Sequence, residues 1–412
     1  MPRRHESALL IALVAGTAAL AAVVAFAGAL LFSGPSRAKT AAAGPQGAGR
    51  APAAPAHSAG HWLATWAAAP VQGQIDQGTD PALRTIRNVV HTSIGGDAAR
   101  VTLSNLFGTH PLLIDQVTVN ALPVTFRGAP SVTVAVGGQV VSDPVAVPVA
   151  PDADLTVALR TPTARGPVTF HPNSHQTSFI DDAQGTRRTT DWRYLTAVDV
   201  RARTAAGTLV AFGDSLTAGS GSTTDANSRW PDVLADRLHG RYAVVNQGIG
   251  GNRVLRDGTG PRALDRFERD VLNVTGAKTV VIALGINDIQ NLPRETDPAR
   301  ITDALRTLTQ RAHARGLRVA GATLMPSEGY RTWTPAQNAV RVQVNETIRA
   351  GGVFDEVLDF EGAVRDPSRP DRLLPAYDSG DHLHLNDAGY QRLGSLIDLN
   401  SLLHTRPLSD AL

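Results

Sequence analysis

Hydrophobic and polar positions follow two rhythms along this 412-residue chain. Between residue 61 and about residue 200, short β-branched runs recur at 85–93, 100–106, 116–121, 131–136 and 155–159. Gly, Pro, Asn and Asp punctuate them at the spacing of an all-β sandwich. Arg100-Val101-Thr102-Leu103-Ser104 alternates with period two, which predicts one buried face. No helical pattern of useful length interrupts this region. From Thr208 onward the rhythm changes. Apolar strands are expected at 209–212, 242–245, 279–284, 317–324 and 353–358. Between them lie helical patterns: one opening at Ser228-Arg-Trp-Pro231 with Ser228 as N-cap, one over 298–314 stopped by Gly316, one over 334–350, and a last one capped by Asn386 and running to Ile397. The third strand is apolar almost throughout, as a strand buried on both faces should be. Strand–helix alternation predicts a parallel sheet with helices on both faces, and ligand sites in such sheets lie at the carboxyl ends of the strands.

The N-terminus belongs to neither rhythm. Arg3, Arg4 and His5 precede an apolar run over 8–32, and an Ala/Pro/Gly-rich stretch over 33–60 follows it. A helix of that length would span about 37 Å, more than the roughly 30 Å of a bilayer core. The arginines favour a cytoplasmic N-terminus. The expected organisation is an export signal or membrane anchor at 1–32, a disordered linker at 33–60, a β-sandwich domain at 61–203 and an α/β domain at 204–412. The folded part is expected outside the cell or on its surface, secreted or held by residues 8–32.

Composition narrows the function classes. Hydrophobic residues make up 42% and charged residues 18%, a globular balance. Net charge is +2 and the basic residues, nearly all Arg, are scattered among acids, so a nucleic-acid partner is not expected. The chain has no Cys, which excludes disulfides, thiolate metal sites and a cysteine nucleophile.

Four unusual motifs stand at the ends of separate predicted strands or just before the last helix. Gly213-Asp214-Ser215-Leu216 follows the first strand; it reads either as an ordinary turn or as a device that exposes a serine hydroxyl, which needs a neighbouring base to be nucleophilic. Asn246-Gln-Gly248-Ile-Gly-Gly251-Asn252 follows the second strand, and such glycines let backbone N–H groups approach a ligand; no Lys-Ser/Thr follows to make it a phosphate loop. Gly285-Ile-Asn287-Asp288 ends the third strand, where Asn287 could donate to a developing oxyanion or simply cap the next helix. Asp381-His382-Leu383-His384 offers a carboxylate that could accept a hydrogen bond from Nδ1–H of His384 and leave Nε2 free as a base. The same cluster could instead ligate a metal.

Together the four motifs, in this order, resemble the four blocks of the SGNH/GDSL hydrolase superfamily, over roughly half the chain from Thr208 to Leu403. The whole chain is similar to exported actinobacterial GDSL-type esterases with an N-terminal β-domain. The resemblance implies a three-layer α/β/α flavodoxin-like domain behind an all-β, jelly-roll-like sandwich. It implies Ser215 as nucleophile, His384 as base, Asp381 as the residue orienting it, and an oxyanion hole from the Ser215 and Gly251 backbone N–H groups and the Asn287 side chain. No cofactor and no metal are needed for that chemistry. The expected activity is hydrolysis of carboxylic esters, acetyl or short-chain, with an acylated glycan as substrate. A lipid substrate is the rival, mildly disfavoured by an aromatic content of 5%. A glycan-binding protein with a degenerate hydrolase domain is a third reading, set against by the presence of every catalytic residue.

Overall fold

The computed structural model describes residues 60–76, 84–162 and 164–403. The expected export segment and nearly all of the linker, residues 1–59, lie outside the described residues. Among the described residues no helix is long and apolar enough to cross a membrane.

The strand-rich region is built on two antiparallel sheets. One has four strands in the order His61–Ala67, Leu195–Ala202, Ala99–Ser104, Gln139–Val141; the other has six, with Thr85–Thr92 and Ala153–Arg160 at its centre. These two central strands pair along their full length, from Ala153 opposite Thr92 to Arg160 opposite Thr85. Alternate residues point inward: Ile86 and Val90 from one strand, Leu155, Val157 and Leu159 from the other. They meet Val101, Leu103, Val198 and Val200 of the opposite sheet in one apolar core, so the region is a sandwich. His61–Ala67 departs from alternation and is buried continuously from Leu63. A bulge between Ala64 and Trp66 re-aims its side chains, so Leu63 and Trp66 enter the sandwich core while Ala64 and Ala67 enter the core of the α/β part.

In the α/β part five parallel strands, β1 (Thr208–Gly213), β2 (Ala243–Gly248), β3 (Ala277–Ala283), β4 (Arg318–Ala322) and β5 (Glu356–Leu358), lie in the order β2-β1-β3-β4-β5. This is the flavodoxin-like order. The connecting helices are α1 (Ser215–Ala218), α2 (Trp230–Leu238), α3 (Ala263–Phe267), α4 (Ile286–Gln290), α5 (Pro298–His313), α6 (Pro335–Arg349), α7 (Phe360–Val364) and α8 (Asp387–Leu396). The sheet feeds two cores. Val210 and Phe212 of β1 face Phe267, Leu305 of α5 and Val344 of α6. Leu209 and Ala211 face Trp230 and Leu234 of α2 and Tyr390 of α8. Helices therefore cover both faces of the sheet, the three-layer arrangement expected. Apolar residues must alternate between two cores, which is why β1 reads as an unbroken apolar run.

Two local expectations need correction. Ser228 does not cap α2: its hydroxyl donates to Asp387, and Arg229 is the cap residue, with Asp232 accepting the Arg229 backbone N–H at 3.0 Å. Capping is done here by an acid in the first turn, which the serine at the segment's start had masked. The fifth strand is shorter than expected, since Val353 is buried in the core beneath the sheet without joining it.

Candidate active site

The carboxyl end of β1 turns directly into α1. Gly213 has no room for a side chain, because a Cβ there would fall 2.0 Å from Thr217 Oγ1 and 3.0 Å from the Ala283 carbonyl. Asp214 caps α1, accepting the Leu216 N–H at 3.0 Å. Ser215 is thus the first residue of α1, where a backbone N–H has no partner within the helix.

Three side chains form a line. Ser215 Oγ lies 2.8 Å from His384 Nε2, and His384 Nδ1 lies 2.6 Å from Asp381 Oδ2. The other Asp381 oxygen accepts the backbone N–H groups of Leu383 at 3.0 Å and His384 at 2.8 Å. Burial pushes the Asp381 carboxyl up, but these N–H groups and the imidazole outweigh it and hold the carboxyl below its ordinary range. An ionised Asp381 accepts a hydrogen bond from Nδ1–H, which keeps the proton on Nδ1 and turns the Nε2 lone pair to the Ser215 hydroxyl.

The glycine block runs past this line. A Cβ on Gly248 would fall 2.4 Å from the Ala218 nitrogen, so β2 can approach α1 this closely only with glycine there. One on Gly250 would touch Ser215 Cβ at 3.9 Å, and Gly251 turns away with φ of 75°. Asn287 is the second residue of α4, whose cap is Gly285, so it does not serve as a cap. Its amide donates to Asp214 at 3.2 Å and accepts from Asn291 at 3.2 Å. An amide has two N–H groups, and the bond to Asp214 uses one. Asp288 secures the glycine block from behind, accepting the N–H groups of Val254 at 2.8 Å and Leu255 at 2.9 Å. Burial raises its pKa. Asp214 is pushed up to about 7, first by complete burial and then by the charge of Asp288.

Two further features stand at the site, the first of which no motif marked. Arg266 of α3 is fully buried beneath the site. It donates to the carbonyls of Gly213 at 2.8 Å and Gln247 at 2.9 Å, to Asn252 at 3.0 Å and to Asp270 at 3.1 Å, with its guanidinium 4.0 Å from the Phe212 ring centre. It clamps the ends of β1 and β2 at a fixed spacing. Burial lowers its pKa to about 10, against the opposing pull of the Asp270 carboxylate. His382 forms a second imidazole–carboxylate pair, Nδ1 to Asp378 Oδ2 at 2.6 Å, with its backbone in the left-handed region at φ 68°. Among the described residues no group of three or more His, Asp or Glu side chains is arranged to hold a metal ion.

All four motifs fall within residues 211–392, and that segment matches the sequence model of the GDSL-like lipase/acylhydrolase family. The α/β part is a GDSL-type carboxylic ester hydrolase domain. No curated protein matches the chain. Several solved structures are similar to this GDSL domain. The aryl esterase of M. smegmatis is 20% identical, with a TM-score of 0.41 over 48% of this chain and 100% of its own. A GDSL-like lipase from Bacteroides thetaiotaomicron is 20% identical, with a TM-score of 0.36 over 46% and 85%. An acetyl xylan esterase is 20% identical, with a TM-score of 0.35 over 46% and 96%. These likenesses carry no weight for substrate.

Proposed function

We propose that this chain is an exported serine esterase in which Ser215 is the nucleophile, His384 the general base and Asp381 the group that orients and stabilises the imidazole. The observation that carries the reading is the hydrogen-bonded line Ser215–His384–Asp381 at 2.8 and 2.6 Å. Ser215 Oγ attacks the ester carbonyl as His384 Nε2 takes its proton. The carbonyl oxygen becomes an oxyanion, held by the Ser215 and Gly251 N–H groups and the second N–H of Asn287; one such donor is worth about 3–4 kcal/mol of barrier. The C–O bond to the alcohol breaks and His384 returns the proton to the leaving oxygen. Water, deprotonated by His384, then attacks the acyl-serine; the C–Oγ bond breaks, His384 returns the proton to Ser215 Oγ, and the acid is released. The chain's own residues supply every proton transfer in this cycle.

The substrate class is part of the same proposal. Gly250 lies against Ser215, Asn287 hydrogen-bonds to the neighbouring Asp214, and the Tyr330 ring stands edge-on to His384; a long acyl chain gains only where extended apolar surface covers it, at about 0.8 kcal/mol per methylene. This supports acetyl or short-chain acyl esters, carried on a polysaccharide in the narrower form of the reading. The arginines and apolar run at the N-terminus support export, with residues 8–32 as signal or anchor. The test is labelling of the purified protein by a fluorophosphonate, followed by a panel of acetylated glycans, p-nitrophenyl esters of rising chain length and phospholipids. Ser215→Ala should lose both labelling and hydrolysis at unchanged melting temperature. Activity within tenfold of wild type would remove Ser215 from its role, and a preference for phospholipids would replace the glycan reading.

A further inference from the structure

The segment 219–229, which leads from α1 to α2, is held from both sides. Two of its residues, Asp225 at φ 64° and Asn227 at φ 47°, occupy the left-handed region, which Asp and Asn adopt more readily than other non-glycine residues. On one flank lies the strand-rich region. The Asp225 carboxylate accepts the backbone N–H of Thr177 and, at 2.6 Å, its hydroxyl. The Asp225 N–H donates to the His175 carbonyl at 2.9 Å, and Arg229 donates to the Ser174 carbonyl at 3.2 Å. The other flank repeats the pattern. The Asp387 carboxylate accepts the Thr223 N–H at 2.9 Å, its hydroxyl at 2.6 Å, and the Ser228 hydroxyl. Asp387 begins α8, three residues after His384. Tyr390 of the same helix donates to the Ser220 carbonyl at 2.7 Å. Gly221 lies so close to the histidine loop that a Cβ would fall 2.4 Å from the Leu385 carbonyl.

We propose that Thr177, in the strand-rich region, is a positioning residue for acyl transfer. It acts through Asp225 on segment 219–229, and that segment seats the loop carrying His384 against Ser215. The inference rests on the esterase reading above. It makes the strand-rich region a working part of the site, because two matched carboxylate–threonine clasps join that region to the start of α8 through this one segment. Acyl transfer is sensitive to such seating: a displacement of about 1 Å between reacting groups costs on the order of 100-fold in rate.

The test uses the full chain with p-nitrophenyl acetate, each rate divided by the number of serines that react with a fluorophosphonate. Thr177→Val keeps the shape and the N–H but loses the hydroxyl, whereas Thr177→Ser keeps both donors. For Thr177→Val we expect kcat per reactive serine to fall about 5–20-fold, with KM and melting temperature close to wild type, since partial loosening costs less than full displacement. Thr177→Ser should stay within about twofold. A merely structural role would lower the melting temperature or the number of reactive serines and leave kcat per serine unchanged, and that result overturns the inference. If Thr177→Val does not fold, Asp225→Asn, which retains one acceptor, is read by the same criterion. A wild type that hydrolyses no ester overturns the esterase reading and this inference together. An active wild type with an unaffected Thr177→Val overturns this inference alone.

Discussion

Asn287→Ala separates chemistry from stability at one side chain. In the fold the Asn287 amide gives one N–H to Asp214 at 3.2 Å, and the second is the donor assigned to the oxyanion. Losing an oxyanion donor costs about 2.7–4 kcal/mol of transition-state stabilisation, or roughly 100–1,000-fold in kcat, with little change in KM. The stability effect follows from Asp214, which is fully buried with its pKa already at about 7. Without Asn287 the carboxylate keeps the Leu216 N–H but loses a donor, so its pKa rises further. At pH 8, where the wild-type carboxyl is mostly ionised, an unsatisfied buried acceptor costs about 1–3 kcal/mol. At pH 5 the carboxyl is protonated in both proteins and the difference should shrink. The assay pairs steady-state kinetics on p-nitrophenyl acetate at pH 8 with urea unfolding at pH 8 and 5. Turnover within fivefold of wild type, alongside the stability loss at pH 8, would make Asn287 a support for Asp214 and remove it from the oxyanion hole.

Three further outcomes are expected. Asp214 has a folded pKa near 7 against an ordinary 3.8, so its contribution is neutral below about pH 4 and turns destabilising as pH rises towards 7; the gap sets a ceiling of about 4 kcal/mol. Asp214→Asn, which can still accept the Leu216 N–H, should therefore gain about 1–3 kcal/mol over wild type in urea unfolding at pH 8 and nothing at pH 4, and equal stability at both would contradict a strained carboxylate. Arg266→Met should cost about 3–5 kcal/mol, because it takes a buried donor from the Gly213 and Gln247 carbonyls and from Asn252 and leaves Asp270 with Arg269 as its remaining arginine partner; a melting temperature within a degree of wild type would show that the clamp is dispensable. Dialysis against EDTA should leave turnover unchanged, since Asp381 and His384 are committed to each other, to backbone N–H groups and to Ser215; a loss that zinc or calcium restores would revive the metal reading of this cluster.

Much of this protein is local and could be read from residue order. A strand's inward face shows as period-two alternation, as in Thr85–Thr92, and a strand covered on both sides shows as an unbroken apolar run, as in β1. Asp214 and Asn386 sit where cap geometry demands them, so those positions carry their capping role in their identity. Asp381 and His384 are three residues apart, close enough that their pairing follows from the loop that contains both.

What tertiary structure decided is everything that depends on a partner distant in the chain. Ser228 has the identity of a cap, but it gives its hydroxyl to Asp387, 159 residues away. Arg266 lies among charged residues that would suit an exposed helix, and only the meeting of the β1 and β2 ends beneath α1 gives its donors four acceptors and makes burial tolerable. Asp214 looks like an ordinary acid in a turn, and its raised pKa comes from enclosure beside Asp288, 74 residues further on. Thr177 belongs to a β-rich stretch with no chemical motif, and Asp225 meets it only because the two regions pack together. Local sequence encodes backbone conformation and short-range pairing. Burial, and the long-range hydrogen bonds that burial makes necessary, exist only once the chain has closed on itself.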